Sequence, residues 1–219
     1  MLFRSLAKLL TGLAGEELRK WVDIGDVVTF EPGVERLNDQ VYVGRNFDNR
    51  LGVYCMIQAM KRVGKTCVDA YAVSTVQEEV GVRGMPAAAF AIDPDVGLAI
   101  DGSLCWGAYG DEHQKNTALG KGTGIYIIDG LTIGNRRLVS FLYDLCSKAG
   151  IPFQKNIGGG TDASGIQRSR AGVAVTTVGA PTRYMHSTVQ LCHHDDVEAT
   201  IALLAAFLEH AHEFVAGGK

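Results

Sequence analysis

The sequence predicts an α/β fold in which helices cover a largely buried β-sheet. Runs of β-branched and apolar residues alternate with amphipathic helical patterns through most of the 219 residues, and this alternation is typical of α/β folds. Two of the predicted strands are apolar enough to be buried on both faces. Each of these two strands runs directly into acidic side chains, so polar chemistry is expected at one edge of the sheet.

The elements follow from the spacing of apolar residues and from the turn residues between them. In the first half, the pattern predicts a helix at 5–20, strands at 27–30 and 41–43, a helix at 51–63 and a strand at 67–76. In the second half, it predicts a short helix at 86–92, strands at 96–101 and 124–129, a helix at 135–149, a short helix after the glycines at 158–160, a strand at 172–178 and a helix at 197–214 capped by Asp195 or Asp196.

Composition excludes several classes of protein. The formal net charge of -3 gives no electrostatic reason to bind nucleic acid or an anionic membrane. No uninterrupted apolar run reaches the roughly 18 residues of a membrane span. The five cysteines are scattered without a C-x-x-C pair, which predicts reduced thiols in a cytoplasmic protein rather than a disulfide framework.

Acidic residues and one histidine occur at predicted junctions between elements: Asp48, the pair Glu78 and Glu79, Asp101 and His186. Adjacent carboxylates at the end of a buried strand repel each other, and a bound metal cation would compensate them. Side chains of successive strand residues point to opposite faces. We therefore expect one glutamate of the pair to ligate a metal ion and the other to handle a proton.

Each of these residues also has a structural interpretation. Asp48 alone is well placed to cap the following helix, Asp101 precedes Gly102 and Ser103 and suits a turn, and a single histidine such as His186 is commonly structural. The residues by themselves leave a metal site and a set of separate structural roles about equally supported.

Five motifs, in one order, resemble the M42 family of metallo-aminopeptidases. They are similar to the D-N-R-x-G motif of that family, to T-x-Q-E-E-x-G-x-R-G, and to its later aspartate, glycine-rich and histidine motifs. In this sequence the motifs lie at 47–52, 75–84, 99–101, 158–163 and 181–187. Their order makes the resemblance far more specific than any one motif.

The resemblance implies a zinc-peptidase-like mixed sheet flanked by helices and removal of N-terminal residues from peptides. It implies divalent metal, zinc or cobalt, at up to two sites, a homo-oligomer, and these roles: Asp48 bridges two ions, Glu78 is the general base, Glu79 and His186 hold one ion, Asp101 holds the other, and Thr161 and Asp162 contact substrate. It also implies that residues 1–45 are the remnant of an inserted β domain with its return segment, and that 46–219 form the catalytic domain.

The sequence departs from the family at one ligand. The family places a histidine in an H-x-D motif upstream of the D-N-R motif, and no histidine precedes His113 here. We therefore expect the site of Asp48, Glu79 and His186 to be strong and that of Asp48 and Asp101 to be weak; His113 is a poor substitute. The alternatives are an inactive homologue that binds metal weakly, an amide deacylase, and an endoglucanase.

Overall fold

The computed structural model describes residues 12–13, 15–23, 25–26, 33–105 and 117–217. The chain divides into two compact units, residues 1–32 and 33–219. In the first unit, a single-turn helix, α1, spans Gly15–Leu18 and Leu18 is buried. Half of the helix predicted at 5–20 (residues 5–11 and 14), and the whole strand predicted at 27–30, lie outside the described residues.

The second unit contains the remaining described elements. Its helices are α2 (Phe47–Arg62), α3 (Gly84–Ile92), α4 (Arg136–Ala149), α5 (Ala163–Gln167) and α6 (His194–Ala216). Its strands are β1 (Val34–Arg36), β2 (Val41–Gly44), β3 (Val96–Ile100), β4 (Ser103–Cys105), β5 (Thr123–Ile128), β6 (Phe153–Ile157), β7 (Ala174–Gly179), β8 (Pro181–Arg183) and β9 (Gln190–His193).

The strands form two mixed sheets, and the predicted α/β class is confirmed. One sheet has the order β1-β2-β9-β8-β4 and the other the order β3-β7-β5-β6. Strands β1 and β2 thus belong to the same sheet as β9. The predicted division of the chain at residue 45 stays a prediction.

A parallel pair of strands passes from one sheet to the other at a single point. Strands β3 and β7 pair in parallel up to Ile100 and Val178, and their continuations β4 and β8 pair in parallel from Ser103 and Pro181. The two chains are so close at this crossing that a Cβ atom on Gly179 would overlap the carbonyl oxygen of Asp101. The crossing therefore requires glycine at 179.

The main core lies where α4 and α6 pack on the sheet that contains β5 and β7. Its most buried large side chains are Ile125, Leu138, Leu142, Ile201 and Leu203. Helix α4 begins as predicted, with the side chain of Asn135 accepting a hydrogen bond from the Leu138 backbone N–H at 3.0 Å. This N-cap satisfies one of the free N–H groups of the first turn.

The N-cap predicted for helix α6, Asp195 or Asp196, is wrong. The N-cap is His193, whose ring nitrogen accepts from the Asp195 backbone N–H. Asp196 is instead fully buried, and its two carboxylate oxygens accept from the backbone N–H groups of Gly120 and Gly122, each at 2.7 Å. The carboxylate therefore holds the turn before β5 against α6.

The prediction of a strand at 67–76 is wrong. These residues pair with no strand among those that the structure describes. Their composition favours extended backbone, but a strand also needs a neighbour with free donors and acceptors. Among the described residues, only α6 is long and apolar enough to cross a membrane, by length and composition alone, and half of the relevant window is buried inside the domain.

Candidate metal centre

Three predicted ligand residues converge on one point. The Nε2 atom of His186 lies 3.1 Å from the Oδ2 atom of Asp48 and 3.5 Å from the Oε2 atom of Glu79. The three ligand atoms all lie within 4.8 Å of one another. They come from three separate parts of the chain: the start of α2, the turn before α3, and the loop between β8 and β9.

This arrangement fits a divalent ion. Zinc bound tetrahedrally at about 2.0–2.2 Å sets its ligand atoms roughly 3.3–3.6 Å apart. The separations of 3.1 and 3.5 Å between His186 and the two carboxylates are close to that range. One imidazole and two carboxylates are also a donor set that zinc, cobalt and manganese accept.

Asp48 is held in place by its backbone. Its N–H donates to the side-chain oxygen of Gln190 on β9 at 2.9 Å. The adjacent Asn49 donates from its side-chain amide to the carbonyl oxygen of Ile100 at 2.8 Å and accepts from the N–H of Gly52 at 3.1 Å. The peptide bond between Asp48 and Asn49 is cis. The start of α2 is therefore tied to both sheets.

Glu78 and Glu79 lie in a tight turn between the segment 68–75 and α3. The carbonyl oxygen of Glu78 accepts from the N–H groups of Gly81 and Val82, and the N–H of Gly84 donates to the carbonyl oxygen of Val76. A Cβ atom on Gly84 would lie 2.6 Å from that same oxygen. The turn closes on itself and places the Oε2 atom of Glu79 3.5 Å from the Nε2 atom of His186.

Left-handed backbone is concentrated around the site. Of the seven described residues other than glycine with positive φ, four are Asn46, Gln77, Tyr184 and His186, with φ between 59 and 60°. Each lies at a metal-site residue or within two positions of one. Such conformations are costly for residues with a Cβ atom and are typical of functional sites.

Asp101 lies at the crossing between the sheets, beside the group of three. Its Oδ1 atom accepts from the N–H of Gly102 at 2.7 Å. Burial, with a smaller contribution from the negative charge of Asp48, raises the pKa of Asp101 to about 8. The structure thus places the carboxylate of Asp101 near that of Asp48.

The glycine-rich loop brings Asp162 to the same region. Its Oδ2 atom accepts from the hydroxyl of Thr75 at 2.5 Å, and its Oδ1 atom is buried without a hydrogen-bond partner. Thr161 behaves differently, because its buried hydroxyl lies 2.7 Å from the hydroxyl of Thr177. His113, the weak substitute ligand, lies outside the described residues.

The carboxylates of the site raise one another's pKa values. Burial raises the pKa of Glu78, and the charges of Asp162, Glu79 and Asp48 raise it further. Burial and then the charge of Glu79 likewise raise the pKa of Asp48. His186 opposes both shifts. Five acidic side chains facing one histidine make a site that a cation would stabilise.

Sequence reasoning missed Gln190 and the hydroxyl of Thr75. Gln190 is 142 residues from Asp48 in the chain, and a single glutamine at the start of a short strand carries no recognisable pattern. Thr75 lies inside the T-x-Q-E-E motif, so its place in that motif was a signal that it lies near the site.

Comparison with known proteins gives the family. The sequence model of the family described as M42 glutamyl aminopeptidase matches residues 12–203. Lysyl aminopeptidase of Pyrococcus furiosus is 37% identical over 189 residues, which are 85% of this chain and 54% of that protein. The chain therefore spans about half the length of this relative.

Comparison with solved structures supports the same family. Aminopeptidase APDkam598 from the archaeon Desulfurococcus kamchatkensis is 37% identical with a TM-score of 0.85, over 89% of this chain and 56% of that chain. The Pyrococcus horikoshii TET1 peptidase, which can assemble into a tetrahedron or a large octahedral shell, is 32% identical with a TM-score of 0.73, over 89% of this chain and 58% of that chain. The matched residues, the fold and the family motifs coincide, and the chain belongs to the M42 glutamyl aminopeptidase family.

Proposed function

We propose that the chain is the catalytic part of a metal-dependent aminopeptidase that hydrolyses peptides from the amino terminus. The observation that carries the proposal is the convergence of Asp48, Glu79 and His186 on one point, with Glu78 next to them. Membership of the family and the aminopeptidase activity named for the relatives support it.

Glu78 is the general base in this proposal. Burial and neighbouring negative charges raise the pKa of Glu78, so its carboxylate accepts a proton more readily than that of an ordinary glutamate. Glu78 takes the proton of the attacking water and delivers it to the leaving amine. When bound, a divalent ion supplies a Lewis acid for the scissile carbonyl and a water of lowered pKa.

The metal is zinc or cobalt, and one site is strong. Asp48, Glu79 and His186 supply three ligand atoms, which is the usual number for a catalytic zinc ion. Asp48 and Asp101 supply only two carboxylates, and the raised pKa of Asp101 means that a proton competes with the ion. We therefore expect weak binding at that second position.

Asp162 is the proposed substrate contact of the glycine-rich loop. Its buried Oδ1 atom has no partner, and its charge is felt by both Glu78 and Asp101. A free carboxylate oxygen there is suited to the positively charged amino terminus of a peptide. Thr161 acts on substrate through the loop, because its hydroxyl is already engaged with Thr177.

We propose that the chain forms a homo-oligomer in the cytoplasm. The TET1 peptidase, to which this chain is similar, assembles into closed shells. Four of the five cysteines are buried and free, and Cys67 is exposed and free, as is usual in a reducing compartment. Analytical ultracentrifugation of the purified chain measures the assembly directly.

Release of p-nitroaniline from aminoacyl p-nitroanilides, with chelator and then with added zinc or cobalt, tests the function. We expect metal-dependent release that Glu78→Gln reduces at least about 1000-fold, because it removes the base and keeps the shape. Glu198→Gln, on the exposed face of α6 opposite Arg62, is the matched control and should leave the rate unchanged. Full activity of Glu78→Gln would refute the assignment of the base.

The same preparation separates the alternatives. Metal binding without release of p-nitroaniline identifies an inactive homologue. Hydrolysis of an N-acetylated amino acid, with no action on a free amino terminus, identifies a deacylase. Reducing sugar released from a glucan identifies an endoglucanase, although glycosidases usually employ two carboxylates without a metal ion.

A further inference from the structure

The aspartate of the glycine-rich loop does not cap the helix that follows it. Asp162 occupies the N-cap position of α5, where an aspartate side chain usually accepts a hydrogen bond from a free N–H group of the first turn. Within the described first turn of α5, the side chain accepts no such bond. The N–H of Ala163 donates instead to the hydroxyl of Thr161 at 3.2 Å. The Asp162 carboxylate is therefore available for another role.

A hydroxyl from a distant part of the chain holds one oxygen of this carboxylate. The hydroxyl of Thr75, which lies 87 positions earlier in the sequence, donates to the Oδ2 atom of Asp162 at 2.5 Å. The Oδ1 atom is buried, and none of the described residues donates to it. Most buried polar atoms in proteins have a hydrogen-bond partner. One oxygen of Asp162 is thus fixed, while the other can accept a hydrogen bond from a ligand.

The backbone on each side of the Thr75–Asp162 hydrogen bond is closely packed. A Cβ atom on Gly84 would lie 3.3 Å from the Cβ atom of Thr75, so Thr75 is in contact with the start of α3. The carbonyl oxygen of Asp162 accepts from the N–H groups of Gly165 and Ile166, at 2.9 and 3.2 Å. Donor and acceptor are therefore both carried by ordered backbone.

This hydrogen bond joins the glycine-rich loop to the turn that carries the proposed base. Thr75 is three residues before Glu78, and the turn closes directly after it, where the N–H of Gly84 donates to the carbonyl oxygen of Val76 at 3.0 Å. Of the charges that raise the pKa of Glu78, that of Asp162 has the largest effect. The Asp162 carboxylate therefore lies close to that of Glu78.

The glycine-rich loop has other attachments to the domain. The hydroxyl of Thr161 lies 2.7 Å from that of Thr177 on β7, and four of the five residues of α5 are buried. A role in attachment alone would also give no reason for the Oδ1 atom of Asp162 to be buried without a donor, because that arrangement costs stability. Local costs of this kind are expected at functional sites.

We propose that Thr75 is a positioning residue for substrate, a role that rests on the aminopeptidase function proposed above. Its hydroxyl orients the Asp162 carboxylate so that the Oδ1 atom meets the protonated amino group of the first residue of a peptide. Because the side chain is oriented before the peptide arrives, binding does not have to restrict its rotation. The orientation is important, since an error of about 1 Å in the position of a bound substrate can cost roughly 100-fold in rate.

A pair of ligands that cannot be hydrolysed tests the proposal. One ligand is the ketomethylene isostere of the dipeptide Leu-Ala, in which a CH2 group replaces the amide N–H, and the other is its copy with hydrogen in place of the α-amino group. Isothermal titration calorimetry with the zinc-loaded chain gives the two dissociation constants. Their ratio measures recognition of the amino group, and any contribution of the metal ion is common to all variants. We expect the unmodified chain to bind the amino form at least about tenfold more tightly; equal binding of the two ligands would overturn the proposal.

Three variants separate positioning from attachment. Thr75→Val removes the hydroxyl with little change of shape and should lower the ratio at least about fivefold, whereas Thr75→Ser keeps a hydroxyl and should stay within about twofold of the unmodified chain. The matched control is Thr66→Val, which removes the hydrogen bond from the Thr66 hydroxyl to the carbonyl oxygen of Val68 and should leave the ratio unchanged. If Thr75→Val weakens both ligands equally, Thr75 only attaches the loop, and the proposal is wrong.

Asp162→Asn provides the second comparison. We expect it to lower the ratio at least as much as Thr75→Val does, and the double variant should lower it no further, because both changes act on the same contact. Losses that multiply would show that Thr75 acts by another route and would contradict the proposal. Urea unfolding in chelator checks the fold, and Thr75→Ala replaces Thr75→Val if the latter does not fold. Since the ratio does not depend on hydrolysis, a chain with these ratios that releases no p-nitroaniline would refute the proposed function but not the role of Thr75.

Discussion

The side-chain oxygen of Gln190 accepts the backbone N–H of Asp48 at 2.9 Å. Gln190 is 3% exposed and opens β9, so this hydrogen bond connects a candidate metal ligand to the buried part of a sheet. Among the described residues, no other group accepts a hydrogen bond from the backbone N–H of Asp48. The position of the Asp48 carboxylate therefore depends on a residue that is not itself one of the candidate ligands.

Replacing Gln190 with leucine should weaken both the fold and the metal site. A buried N–H left without an acceptor costs about 1–3 kcal/mol, and loss of such an outer partner typically lowers metal affinity roughly 10–100-fold. Urea unfolding in chelator and a zinc titration measure the two effects. Gln190→Glu retains an acceptor oxygen and should recover most of the affinity; equal losses in both variants would contradict a positioning role.

Replacing His186 with alanine should remove metal binding but not folding. The side chain is 71% exposed, so its truncation costs little stability, yet it is one of the three candidate ligands. We expect zinc affinity to fall more than about 100-fold, beyond the range typical of outer-shell partners, with the midpoint of urea unfolding in chelator unchanged. His210→Ala, which removes an exposed histidine paired with Glu213 on α6, should leave affinity within twofold.

The free energy of unfolding without metal should decline as pH rises from about 4 to 8. The pKa of Asp101 is about 8 in the folded chain and near 3.9 when unfolded, so the folded state keeps a proton that the unfolded state loses. Stability is therefore full below pH 4 and falls toward pH 8. Asp101→Asn should reduce this decline by about 2–5 kcal/mol, as measured by urea unfolding in chelator.

Other buried acids with raised pKa values, Asp48 and Asp196 among them, add to the decline in both proteins. The difference between the two curves therefore isolates Asp101. Parallel curves for the unmodified chain and for Asp101→Asn would show that Asp101 titrates normally. Saturating zinc should flatten the curve of the unmodified chain, because an ion replaces the proton.

Replacing Gly52 with alanine should destabilise the start of α2. The added Cβ atom would overlap the side-chain amide of Asn49 and lie 2.7 Å from the carbonyl oxygen of Ile100. Overpacking of this kind costs about 1–3 kcal/mol, which exceeds the helix propensity that alanine gains. Gly64→Ala is the matched control, since its Cβ atom would meet nothing closer than 3.8 Å. The midpoints of thermal unfolding of the two variants, compared with that of the unmodified chain, test whether this crowding destabilises the fold.

The sequence predicted the long elements and some short ones, such as β2, α3 and α5, and it missed the short strands β1, β4, β6, β8 and β9. Helices α2, α4 and α6 have apolar spacing sustained over several turns, and β3, β5 and β7 are apolar runs bounded by turn residues. Strand β9, with the sequence Gln-Leu-Cys-His, and strand β8 are too short and too mixed for a period to emerge. The strand predicted at 67–76 failed for another reason, because local composition predicts extended backbone but not the presence of a neighbour.

The residues of the candidate site that lie in recognisable sequence motifs could be predicted. The acids at 48 and 79 and the histidine at 186 are close in space, as their motifs imply, and their roles remain predictions. Gln190 was not predictable, because its contact with Asp48 arises only after distant segments fold together. The N-cap of α6 was mispredicted for the same reason. Aspartate is a residue type that caps helices well, but the carboxylate of Asp196 accepts hydrogen bonds from the turn at 120–122 instead.

The crossing at Gly179 and Asp101 makes a candidate metal ligand part of the joint between the two sheets. Both strands of the parallel pair change sheets there, and their backbones are in contact with no side chain between them. If one sheet rotates against the other, the backbone that carries the Asp101 carboxylate must therefore move as well. The same few backbone atoms therefore join the two sheets and carry the Asp101 carboxylate, so an ion bound to Asp101 would act directly on the connection between the sheets.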